Sequence, residues 1–161
     1  MKNKGFSLIE LLVVLGIIGV LSSFITPKVM NYLAKGKDTK AVAVLESLRT
    51  ASQLYYLEEG KSFFKGESYG EITVEQFEKL EKYLSNNARD LIKNNKVVVE
   101  IGGSKDSPDS KDIKYGGEIG FTTQDPKALE KSDKSDGINI WFNKTNEIKD
   151  FNLSGNKWID L

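Results

Sequence analysis

Apolar residues are unevenly placed along this chain of 161 residues. From Phe6 to Ile25 the only charged residue is Glu10. As a helix that run is about 30 Å long, enough to cross the hydrocarbon core of a bilayer. Lys2 and Lys4 precede it and bias that end toward the cytoplasm. Beyond Pro27 the pattern turns amphipathic. Ala41, Val44, Leu45, Leu48, Ala51, Ser52 and Tyr55 recur at spacings of three and four, one helical face. Lys37, Asp38, Lys40, Glu46 and Arg49 are assigned to the other faces. The helix is expected to run to about Leu57 and to end at Glu58-Glu59-Gly60, Gly60 suiting the left-handed closing position. Lys35-Gly36-Lys37-Asp38 is a weak spot where curvature is expected.

After a Gly-rich connection, Thr73 with Gln76 three residues on forms a capping box. Phe77, Leu80, Leu84 and Leu91 continue a helical face. The expectation is a helix from about Val74 to Tyr83, a break at Asn86-Asn87 and a short successor near Ala88 to Ile92. The rest reads as strands: Val97–Ile101, Glu118–Thr122, Ile138–Phe142, then Ile148–Leu153 and Trp158–Leu161 joined by turns at Lys144–Glu147 and Ser154–Asn156. That predicts an antiparallel sheet of three to five strands with a C-terminal meander, one face covering the helix. Two polar loops, Gly102 to Gly117 and Thr123 to Gly137, are expected to be exposed.

Composition removes several function classes. There is no Cys and no His, so disulfides, Cys/His metal sites and an imidazole base are excluded. With 23 basic and 23 acidic side chains, the chain as a whole has no strong electrostatic footprint for nucleic acid. No phosphate-cradling Gly loop followed by Lys-Ser/Thr is present.

Glu10 needs an explanation, because a carboxylate in a spanning helix costs a few kcal/mol or more unless neutralised or paired. A cleaved secretory signal has a shorter apolar core and small residues at the cut, for which Leu21-Ser22-Ser23-Phe24 serves only weakly. An uncleaved signal anchor remains open as well. Neither accounts for Glu10. The residues Lys-Gly-Phe-Ser-Leu-Ile-Glu-Leu-Leu-Val-Val at 4–14, continued by Ile17-Ile18-Gly19-Val20-Leu21 to Pro27, resemble the prepilin peptidase site and N-terminal helix of type IV pilins and pseudopilins. The resemblance is close over about the first 30 residues and holds in character over the next 30.

The resemblance implies an α+β fold, with a long protruding N-terminal helix packed against a small antiparallel sheet. It implies a leader peptide at 1–5, a hydrophobic transmembrane and assembly helix at 6–27, and a soluble head at 28–161. Within the head the sequence pattern adds an amphipathic helix at about 28–58, a helical connection at about 73–92 and a sheet at about 97–161. Cleavage is expected between Gly5 and Phe6, with N-methylation of Phe6. Gly5, lacking a Cβ, fits a narrow peptidase site. Losing Lys2 and Lys4 leaves 21 basic side chains against 23 acidic. In the family, Glu10 pairs in the filament with the N-terminal amine of a neighbouring subunit, a pair better understood as a register device than as net stabilisation. Gly16, Gly19 and Pro27 are expected to serve assembly. Small residues let helices approach, Pro removes an internal hydrogen bond, and the resemblance suggests bending or local unwinding between Gly16 and Pro27. A plain membrane helix with a kink at its exit is the competing reading.

Other chemistry is weaker. Asp106, Asp109 and Asp112, and Asp125, Asp133 and Asp136, populate the polar loops, and some pseudopilins hold calcium in such loops. Here Lys105, Lys111, Lys131 and Lys134 interleave and no EF-hand spacing exists, so a solvated loop is expected and no cofactor is assigned. Glu58, Glu59, Glu67, Glu78 and Glu81 are read as exposed helix carboxylates rather than a hydrolase pair, so the chain is read as no enzyme. Phe63-Phe64 and Tyr55-Tyr56 are read as core or inter-subunit contacts.

The implied function is structural: a surface filament subunit for adhesion, motility or contact. A pseudopilin of a type II-like secretion system and a competence filament subunit for DNA uptake are the alternatives. The implied partners are copies of the same chain, a prepilin peptidase, and an assembly ATPase with its inner-membrane platform; none is nucleic acid for the head. The implied location is the inner membrane as a single-pass precursor, then a pilus or a periplasmic pseudopilus. Two family features are missing: the disulfide that closes a C-terminal loop in many pilins, and the Pro-Trp-Gly-type segment of major secretion pseudopilins. Major and minor subunit therefore both remain open.

Overall fold

The computed structural model describes residues 6–64, 70–85, 88–127, 137–145 and 147–161. The chain divides into two compact units, Met1–Leu33 and Ala34–Leu161. Helix α1, Leu8–Glu59, is continuous and includes Pro27. The fold is α+β: one long N-terminal helix and a small antiparallel sheet.

In the second unit, α1 buries Ala34, Asp38, Ala41, Leu45, Leu48, Ala51 and Ser52. Small residues alternate with leucines on this face, so the helix backbone can lie close to what it covers. Gly60, at φ +65, ends the helix and donates its N–H to Tyr56 O at 2.9 Å. Helix α2, Val74–Leu80, starts at a full capping box: Thr73 N–H donates to Gln76 Oε1 at 3.0 Å, and Gln76 N–H to Thr73 Oγ1 at 3.3 Å. The helical connection then becomes 3₁₀ at Glu81–Tyr83 and Ala88–Leu91. The expected break at Asn86-Asn87 lies outside the described residues.

Strands are β1 Ile92–Lys93, β2 Lys96–Glu100, β3 Gly103–Ser104, β4 Lys114–Tyr115, β5 Glu118–Thr122 and β6 Trp141–Asn143. The main sheet has the order β1-β2-β5-β6, all antiparallel, with Val99 opposite Ile119 and Phe121 opposite Phe142. Strands β3 and β4 form a separate ribbon inside what the sequence marks as a polar loop. Strand β1 departs from the expected helical successor reaching Ile92. Asn94 (φ 49) and Asn95 (φ 60) make a two-residue turn with both positions left-handed, which Asn tolerates and hairpins favour. The core joins Leu45 and Leu48 of α1 to Val97, Val99, Ile119, Phe121, Phe142 and Trp158.

The expected C-terminal meander does not form. Phe151 makes isolated bridges to Lys105 and Lys157 only, and Trp158–Asp160 is a 3₁₀ turn instead of a strand. Asn152 Oδ1 accepts the Ser154 and Asn156 amides at 2.9 Å each, tightening the chain into a turn. Trp158 is thereby fully buried, edge-on to Phe142 at 5.4 Å between ring centroids. Burying a ring of about 150–250 Å² outweighs extending a ladder at a sheet edge. Strand β6 is also shorter than the expected Ile138–Phe142. The carbonyls of Ile138 and Ile140 are taken by Ser52 Oγ at 2.6 Å and Arg49 Nε at 2.8 Å from α1. So the expected sheet at about 97–161 has its strands between Ile92 and Asn143.

Candidate assembly segment

The first turn of α1 positions Glu10. Ser7 stands where an N-cap should, and its Oγ accepts the Ile9 amide at 3.4 Å. Glu10 Oε2 accepts the Ser7 amide at 2.8 Å. Ser-x-x-Glu is thus a reciprocal cap that satisfies orphan N–H groups at the helix start. The sequence reading missed this although the pattern is visible at 7–10. Glu10 therefore has a partner within its own chain. Gly5 and the rest of 1–5 lie outside the described residues.

From Phe6 to Met30 every side chain is exposed. The most apolar 18-residue window of α1 is long and apolar enough to cross a membrane and has none of its residues buried. Among the described residues nothing covers the large side chains: Leu8 is 80% exposed and Phe24 69%. The polar groups are hidden in a different way. Ser23 Oγ donates to Val20 O at 2.7 Å and Thr26 Oγ1 to Ser22 O at 2.8 Å, so both hydroxyls suit an apolar surround. A Cβ at Gly16 or Gly19 would meet nothing within 4 Å. Among the described residues no packing requires those glycines, although each costs about 1 kcal/mol of helix propensity relative to Ala. Pro27 removes one i→i−4 bond, and the helix continues through it.

The other candidate residues fall elsewhere. Asp106 and Asp112 both converge on Lys149 Nζ, at 2.8 and 2.6 Å, which raises the Lys149 pKa. Among the described residues no group of three Asp or Glu gathers as for a metal ion. Asp133, Asp136, Lys131, Lys134 and Glu67 lie outside the described residues. Glu58 bonds the Tyr83 hydroxyl and Lys82, and Glu81 pairs with Arg89. Phe63 is buried in the core and Phe64 half-buried, while Tyr55 packs edge-on to Tyr83.

Two residues assigned to outer faces turn inward. Asp38 is buried: its Oδ1 accepts the Gly102 and Gly103 amides at 2.8 and 3.4 Å, and its Oδ2 the Leu153 amide at 3.0 Å. Arg49 is half-buried and donates to Ile140 O and Leu161 O, both at 2.8 Å. Side-chain polarity alone carried no signal for either, because their partners are backbone groups supplied by distant loops.

Residues 1–26 match the family model of the prokaryotic N-terminal methylation motif. The N-terminal segment is similar to that of curated type IV pilins. The type IV major pilin protein PilE1 of Neisseria gonorrhoeae is 37% identical over 59 residues, covering 37% of this chain and 36% of that protein. The prepilin peptidase-dependent protein D of Escherichia coli K12 is 46% identical over 59 residues, 37% and 40% of the two chains. The type IV major fimbrial protein FimA of Dichelobacter nodosus is 38% identical over 66 residues, 40% and 42%. The chain thus spans less than half the length of these curated pilins. No solved structure matches it.

Proposed function

We propose that this chain is a structural subunit, a type IV pilin, that polymerises through its N-terminal helix into a surface filament for adhesion, motility or contact. The observation that carries the reading is the methylation motif at 1–26 heading a helix whose apolar window buries nothing in its own chain. Such a surface in water is a large unmet driving force. A bilayer satisfies it before assembly and the helices of other copies satisfy it afterward.

In this reading a prepilin peptidase cuts between Gly5 and Phe6, and Phe6 is N-methylated. Glu10 then exchanges its Ser7 amide for the Phe6 amine of a neighbouring copy, which sets register. Gly16, Gly19 and Pro27 let the helix adjust in the filament core. An assembly ATPase and an inner-membrane platform supply the work, and the head has no nucleic-acid role. Immunoelectron microscopy of the native host with antibody to the head tests this. Labelling along filaments is expected, and labelling confined to the cell envelope contradicts a surface filament.

A further inference from the structure

Just past the apolar run, α1 carries almost one sign of charge. Lys28, Lys35, Lys37 and Lys40 all lie within fifteen residues of Ile25. Between Glu10 and Glu46 the only acidic residue is Asp38. Its carboxylate is buried and taken by the Gly102, Gly103 and Leu153 amides, so α1 presents no acidic group at the surface there. Lys28, Lys37 and Lys40 are exposed and Lys35 is half-buried. Lys37 reaches Glu100 at 3.4 Å, in a pair more than half exposed on both sides and therefore weak. Asp90 lies in the same surface recess as Lys37 and Lys40. Among the described residues Lys28, Lys35 and Lys40 have no ion-pair partner.

Apolar side chains interleave with these lysines: Tyr32 is 74% exposed and Leu33 67%. Tyr32 stands four residues after Lys28, on the same face of the helix. An exposed aromatic ring beside long cationic side chains suits the boundary between hydrocarbon and headgroups. At about 1.5 Å per residue, Lys28 follows Ile25 by about 5 Å along the helix and Tyr32 by about 10 Å, where headgroups begin. The lysines also stand at the end opposite Lys2 and Lys4, where the cytoplasmic bias of basic residues disfavours them. An anionic surface at that end offsets the disadvantage. Duplex DNA offers phosphates as well, but no apolar layer for Tyr32 and Leu33. Continuity with the run from Phe6 to Ile25 favours lipid. We propose that the segment from Lys28 to Lys40 binds anionic phospholipid headgroups at the non-cytoplasmic face of the bilayer. This rests on the reading in which α1 enters a bilayer before assembly.

The test uses the full chain reconstituted in phosphatidylcholine vesicles with a trace of spin-labelled phosphatidylglycerol or spin-labelled phosphatidylcholine. Electron paramagnetic resonance reads the fraction of each label immobilised at the protein. A preference of at least about twofold for phosphatidylglycerol is expected. It should fall away near 1 M salt, where the Debye length is about 3 Å. Replacing the four lysines together (Lys28→Gln, Lys35→Gln, Lys37→Gln, Lys40→Gln) should remove more than half of the preference, and replacing the same four by Arg should retain it. Lys2→Gln with Lys4→Gln should remove less than half. The proposal alone is overturned by a chain that floats with the vesicles yet shows no preference, captures duplex DNA through these lysines instead, or keeps its preference as the Gln variant. A chain that does not float with them overturns the bilayer reading as well.

Discussion

Asp38 Oδ1 accepts the Gly102 amide at 2.8 Å across 64 residues of sequence, with the carboxylate 2% exposed. The Gly103 and Leu153 amides complete its cradle. One side chain of α1 therefore satisfies three backbone donors where β2 leads into β3 and where the C-terminal turn begins. Asp38→Ala strands those donors, at about 1–3 kcal/mol for each group left buried and unpaired. Denaturant melting should show a loss on the order of 3 kcal/mol. The pH dependence has a defined sign. Burial, the larger influence, pushes the Asp38 carboxyl above its usual 3.8, and the amides pull it back in part. A raised folded value contributes stability fully below the unfolded pKa of about 3.9 and loses it as pH rises through the folded value. Wild type should therefore lose stability relative to Asp38→Asn as the pH rises from about 4; a gap that does not change with pH contradicts this.

Arg49 holds the other end of the same helix face. Its fork takes Ile140 O and Leu161 O, with Glu46 on Nη1 at 2.7 Å. Arg49→Lys keeps the charge but not the fork. A loss of about 1–3 kcal/mol is expected, together with faster hydrogen exchange at Ile140–Asn143 than at β5. Uniformly faster exchange across the sheet would show that the clamp is not local.

Glycines on the two units should respond oppositely. A Cβ at Gly102 would lie 1.8 Å from Ala34 O, backbone against backbone, so Gly102→Ala must displace β2 or α1. Its melting temperature should fall sharply, by at least the roughly 1–3 kcal/mol of an overpacked core. Gly16→Ala meets nothing in its own chain and should leave head stability unchanged. If Gly16 serves filament packing, that variant instead reduces filament yield.

How much of this was readable in advance follows from where each force originates. The apolar run, its capping residues and the inward face of α1 are periodic signals local in sequence. The central strands β2 and β5 fall on short β-branched or aromatic runs. Asp38 and Arg49 misled because a polar side chain is solvated by default, and only the folded positions of residues 102, 140 and 153 supply their partners. The meander failed because Ile148–Leu153 and Trp158–Leu161 alternate well enough for strands, yet Trp158 is fully buried against Phe142. Within the assembly segment, the reciprocal Ser7–Glu10 cap was legible and overlooked beside the more conspicuous charge.

The proposed register role of Glu10 can be separated by variants from the cap it makes with Ser7. Ser7→Ala removes only the hydroxyl half of the cap, weakening the helix start by about 0.5–2 kcal/mol, and should leave filaments intact. Under the proposed function Glu10→Ala removes the register contact as well, and should abolish surface filaments while the head melts at an unchanged temperature. Equal loss of filaments in both variants would assign Glu10 to capping alone.

The most direct test of the central claim is N-terminal peptide mass spectrometry on sheared surface material and on membranes of the native host. The account predicts abundant chains that begin at N-methylated Phe6 in the sheared fraction. Chains that still begin at Met1, or that are cut near Ser22, would contradict it.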